Sequence, residues 1–209
     1  IALIGARVIP LFTANGLGLP PPSPVPPWEP RLAMGGFVLL AALAGAGAGL
    51  EPDPWFAPLL LALALLHGRW VVRWYRPGVW RVPLLWSLHV AYAWLALALL
   101  ALAAWHAGAP VVGSAALHAF TVGTVGGLTL AMMARVSLGH TGRPLTPPRA
   151  MAIAFAAVAL AAAARAGLAG VAPRLGVTLA AVAWCLGFGL FVVCYAPMLW
   201  RPRVDGRAG

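Results

Sequence analysis

Six apolar stretches, each about as long as a bilayer's hydrocarbon is thick, dominate what this chain can fold into. They run over residues 32–50, 55–74, 84–105, 112–138, 150–168 and 175–200. A helix needs roughly 20 apolar residues to cross about 30 Å of hydrocarbon. The gaps hold turn-formers: Glu51-Pro52-Asp53-Pro54, Arg76-Pro77-Gly78, Gly108-Ala109-Pro110 and Gly142-Arg143-Pro144. Pro197, in the last turn of the sixth stretch, is expected to end or kink it. The pattern predicts an all-α fold, a polytopic transmembrane helical bundle of about six spanning helices. Composition agrees, with 62% hydrophobic and 9% charged residues and a mean hydropathy of +0.91. An average soluble domain is about 25% charged. The expected divisions are a juxtamembrane segment with a proline-rich linker over 1–31, the membrane domain over 32–200 and a tail over 201–209.

The net charge of +10 comes from fourteen arginines and no lysine. Numbering the connections alternately puts twelve on one side: Arg7, Arg31, Arg69, Arg73, Arg76, Arg81, Arg135, Arg143, Arg149, Arg201, Arg203 and Arg207. Only Arg165 and Arg174 fall on the other. Positive charge is retained in the cytoplasm, which predicts a multi-pass membrane protein with both ends of this chain cytoplasmic. Nucleic acid is not an expected partner, because the arginines fall between apolar runs and not on one polar face. Trp28, Trp55, Trp74, Trp80, Trp105 and Trp200 lie near proposed span ends, as an interfacial belt requires. Residues 20–30 hold seven prolines and read as a stiff polyproline spacer. The chain begins at Ile1 with no charged leader before it, and reads as a fragment or processed chain with segments upstream. Cys185 and Cys194, nine residues apart on one expected helix, read as small core residues and not as a disulfide.

Ionisable groups in hydrocarbon are costly and need a reason to be there. His67, His89 and His118 fall inside spans, His106 at the outer end of the third, and His140 just past the inner end of the fourth. His89 shares its helical face with Leu85, Ala93, Ala96 and Leu100. The two alanines leave space for a flat cofactor or for a close neighbouring helix. His118 heads a stripe of Ser114, Thr121, Val125, Thr129 and Met132. The opposite side of that helix collects Ala116, Ala119, Gly123, Gly127 and Ala134, with Gly126 at its border, and is expected to pack tightly. A metal ligand and a hydrogen-bonded seam residue both fit His118. His67, with Trp70 and Trp74 on its face, reads as a seam residue. Neutral imidazole ligates haem iron and copper. His89 and His118 are expected about 13 Å apart along the membrane normal, which argues against their sharing one haem. Methionine in apolar helices is usually filler, so Met132 and Met133 are weak copper candidates. At the end of the fourth span, Arg135 is expected to snorkel to the headgroups, Gly139 to cap the helix and Gly142 to open a turn. Backbone N–H groups over 139–142, with Arg135 and Arg143, form a candidate anion cradle. No carboxylate lies in any expected span, so no Asp or Glu proton relay is expected there.

Four stretches carry a resemblance to a known family. They are GARVIPLFTANGL (5–17), PLLWSLHVAYAWLALALL (83–100), LHAFTVGTVGGLTLAMMARV (117–136) and SLGHTGRPL (137–145). They resemble the NnrS proteins, polytopic bacterial membrane proteins described as containing haem and copper and linked to nitric oxide stress and denitrification. The resemblance implies a bundle of about twelve helices, with this chain as the C-terminal half and the missing N-terminal helices of the same protein as partners, alongside the lipid bilayer and nitric oxide. His89, His118 and His140 are then the implied metal ligands, with Arg135 and Arg143 beside the cofactor. A metal-free transporter or channel with a polar path along the fourth helix is the alternative. A dihaem cytochrome of the b type ranks last, because the histidine spacings do not fit two pairs on facing helices.

Overall fold

A computed structural model describes residues 1–20, 23 and 25–206 of the chain. Pro21, Pro22 and Pro24 of the expected spacer, and Arg207 of the tail, lie outside the described residues. Among the described residues there are seven helices: α1 (Ala2–Leu17), α2 (Trp28–Gly45), α3 (Ala57–Trp74), α4 (Pro83–His106), α5 (Gly113–His140), α6 (Ala150–Gly167) and α7 (Pro173–Leu199). Single 3-10 turns, Pro54–Phe56 and Val79–Arg81, lead into α3 and α4. Proline opens α3, α4 and α7, where its missing N–H is one the helix would leave unpaired anyway. No strand occurs among the described residues.

Among the described residues five helices, not six, are long and apolar enough to cross a membrane: α3 with its leading turn, α4, α5, α6 and α7. The expected first span is shifted. Its helix begins at Trp28, inside the proline-rich stretch, and ends at Gly45, so Glu29, Pro30 and Arg31 form its first turn and dilute its apolarity. The residues before it are more than a linker. α1 runs antiparallel along α4, with Gly5 against the Tyr92 ring and Gly16 against Leu85. Buried Ile9 and Thr13 lie on that helix's inner face. α7 continues through Pro197 and stops two residues later.

α4 is the central rod. Half of its span is buried, against 17% for α7, and it packs on α1, α3, α5 and α6. α5 contains a π segment over Ala119–Gly126, whose i→i+5 bonds widen the turn. Its small-residue face meets its neighbours as expected. A side chain on Gly123 would collide with Trp94, one on Gly126 with Trp184, and one on Gly127 with Ala91. α6 and α7 close the same way, with Gly187 against Val158 and the Ala154 carbonyl. Such close approach is how membrane helices associate, since lipid is as apolar as their side chains. Trp28, Trp55, Trp80 and Trp200 are exposed as a belt requires, but Trp74 is buried under the Tyr92 ring. Both cysteines are free, and neither is a core residue: Cys185 is exposed and Cys194 half-buried.

Candidate functional site

His89 stands in the second turn of α4, on a buried face. Its Nδ1 lies 3.0 Å from the Leu85 carbonyl four residues back. A carbonyl only accepts, so Nδ1 carries the proton and donates, and Nε2 keeps its lone pair. That Nε2 is buried and has no hydrogen-bond partner. Metal-binding histidines are prepared in this way, with the far ring nitrogen tied to a carbonyl. His118 repeats the arrangement on α5, its Nδ1 donating to the Ser114 carbonyl at 2.5 Å from a half-exposed position. His106, at the other end of α4, has the opposite polarity. Its Nδ1 accepts from the Asp53 backbone N–H at 3.1 Å, and its ring stacks on Phe56. His140 is exposed at the end of α5.

These imidazoles are not brought together. α4 and α5 run antiparallel with Ala91 level with Gly127 and Trp94 level with Gly123. His118 is therefore level with the region of Leu99, ten residues beyond His89, a separation of about 15 Å at 1.5 Å per residue. The His118 stripe faces outward, with Ser114, Thr121, Val125 and Thr129 exposed. The Thr121 hydroxyl is spent on the Leu117 carbonyl, so it offers little to a polar path. No group of three His, Cys, Asp or Glu residues that would hold a metal ion occurs among the described residues.

The 134–145 stretch takes a different form from the expected anion cradle. α5 runs on to His140, and Gly142, not Gly139, is the capping residue, with φ 72°. The Gly142 N–H bonds to the Gly139 carbonyl and the Arg143 N–H to the Leu138 carbonyl, a Schellman closure. The backbone donators are thus consumed by the helix end. Arg135 does not snorkel freely: its guanidinium lies 3.7 Å from the centre of the Phe12 ring on α1. That contact joins two of the stretches quoted above, 5–17 and 117–136, and is worth about 0.5–2 kcal/mol. Arg143 is half-buried, with one terminal nitrogen unpartnered. A carboxylate of the chain itself reaches this turn. A side chain on Gly142 would run into Asp205, Val204 N–H bonds to the Thr141 carbonyl, and Arg203 donates to the His140 carbonyl. The Arg203–Asp205 hydrogen bonds hold the Arg203 guanidinium above its ordinary pKa, so it stays charged in any working buffer.

A buried polar cluster escaped sequence reasoning. Glu29 is fully buried in the first turn of α2. Its Oε2 accepts from Trp70 Nε1 at 2.6 Å, and its Oε1 lies 3.5 Å from Arg69. Next to Trp70 on α3, His67 shares a 2.8 Å hydrogen bond between its Nδ1 and the Tyr92 hydroxyl. Phe37, Trp70 and Tyr92 surround that imidazole, whose Nε2 is buried and unpartnered. His67 is a seam residue, as its aromatic neighbours imply, but the seam includes a carboxylate that looked like part of a linker. The available signal was an acidic residue followed by proline ahead of an apolar run, which marks a helix start.

A family model described as NnrS protein matches residues 1–203. No curated protein and no solved structure matches the chain.

Proposed function

The chain belongs to the NnrS family, and from that premise we propose that it is a haem- and copper-associated integral membrane protein of nitric oxide response or denitrification. The observation that carries the reading is His89, an imidazole inside a span whose only free nitrogen is a buried, unpartnered lone pair. Leaving such a group unpaired in an apolar interior costs about 1–3 kcal/mol. A ligand that accepts the lone pair removes that cost. Haem iron needs one or two protein ligands and suits an isolated imidazole. Held there by His89 Nε2, haem would supply iron chemistry toward a small neutral diatomic such as nitric oxide. The chain's own part is to fix the tautomer through Leu85, keep the ring away from water and present Nε2. His118, prepared in the same way about 15 Å off, belongs to a separate centre. Copper takes several N or S donors at once, and His118 or His140 would each supply one of them. The arginine-rich ends of the bundle are assigned to the cytoplasmic face of a bacterial inner membrane by the positive-inside rule.

The test is a visible spectrum and elemental analysis of purified full-length protein. Wild type is expected to show a Soret band and bound iron, and His89→Ala to lose both while keeping its helical circular dichroism. A wild-type protein with neither Soret band nor metal refutes the reading.

A further inference from the structure

Two open clefts, of about 180 and 220 Å³, flank α1 on its side facing α2 and α3. They share Ala6 and Val25, and the adjoining rings of Trp70 and Trp74, 5.7 Å apart, form one wall across both. The first is mostly apolar: Ala33, Met34 and Phe37 extend it along α2 toward the middle of the bundle, and Arg7 lines it. The second is lined by Arg73 and Arg76. Trp70 and Trp74 are four residues apart on α3, so the two levels differ by about 6 Å. One groove thus has an apolar lower part, an aromatic wall and arginines at two successive levels near the arginine-rich end of the bundle. Glu29, on the same stretch of α2, is buried and engaged by Trp70 and Arg69.

We propose that this groove binds one anionic phospholipid, its phosphate held by Arg7 and Arg76 and an acyl chain lying along Ala33, Met34 and Phe37. Charge complementarity selects the occupant. Guanidinium groups bind phosphate through paired donors, and an apolar trough continuous with them fits a molecule carrying both a phosphate and a hydrocarbon chain. Basic pockets between membrane helices on the arginine-rich side recognise lipid headgroups by this chemistry.

Native mass spectrometry of the full chain in mild detergent tests it, with phosphatidylglycerol and phosphatidylcholine of identical acyl chains as probes. One phosphatidylglycerol per chain is expected to be retained in preference to phosphatidylcholine. Arg7→Gln and Arg76→Gln are each expected to lower that retention about fivefold, the effect of one interfacial arginine. Ala6→Phe blocks the groove while leaving every charge in place and is expected to abolish retention. Met34→Trp fills it from an exposed position on α2 and covers the case in which Ala6→Phe disturbs α1. Equal retention of the two lipids overturns the proposal. So does unchanged retention in both filled variants, which would reduce the effect to surface charge, or full displacement of the lipid by millimolar inorganic phosphate.

Discussion

The two ends of α4 carry one histidine each, and the two are wired in opposite senses. At the arginine-rich end, His89 donates from Nδ1 to a carbonyl of its own helix and leaves Nε2 empty. At the far end, His106 accepts at Nδ1 from Asp53 and stacks on Phe56, so it closes the loop that leads into α3. Both rings are buried. Burial therefore does not separate a candidate ligand from a structural histidine. The hydrogen-bond partner does, because a carbonyl and an amide N–H force opposite tautomers and leave the lone pair on opposite nitrogens.

The sharpest break in that comparison comes from removing each ring in turn. His89→Ala is expected to abolish the Soret band, a loss of at least about tenfold in bound haem, while His106→Ala leaves the spectrum intact. Loss of the band in both variants would erase the distinction. Next in size is the seam between α4 and α5. Gly127 sits against Ala91, two residues from His89, so Gly127→Leu is expected to cost about 3 kcal/mol by overpacking and to perturb any His89-bound chromophore. Thermal unfolding in detergent checks the first effect and the band position the second. His106→Ala itself is expected to cost about 2 kcal/mol, because the Asp53 N–H loses its acceptor. Gly113, the seam's counterpart at the His106 end, meets the ring of half-buried Trp105. Gly113→Ala is accordingly expected to cost about 1 kcal/mol and to leave the spectrum alone. The smallest effect concerns the tail: Asp205→Asn weakens the clasp on Gly142 and is expected to show as faster proteolysis after Arg203, with no change in spectrum or unfolding temperature.

Much of the architecture was legible because membrane helices announce themselves. The small face of α5 was readable from its spacing, and it does pack against Trp94, Ala91 and Trp184. The polar stripe opposite was equally readable, but its direction was not: it faces away from the bundle. A periodicity defines two faces of a helix without saying which neighbour each one meets. The expected first span is shifted for a related reason. The seven prolines of residues 20–30 read as a spacer, yet the helix begins at Trp28, and Glu29 in its first turn is accommodated by Trp70 and Arg69, about forty residues away. The anion cradle at 139–142 failed because a helix end uses its own N–H groups first.

By itself, the sequence determined that this chain is a bundle of apolar helices, since the transfer of each residue between water and hydrocarbon is a local property that adds along the chain. The NnrS resemblance, too, lay in contiguous residues. Only the tertiary structure decided that His67 meets the Tyr92 hydroxyl, that Glu29 is buried, and that Arg135 rests on Phe12. Those outcomes depend on partners in other helices, and hydrogen bonds and ring contacts are satisfied by neighbours in space, not by neighbours in sequence.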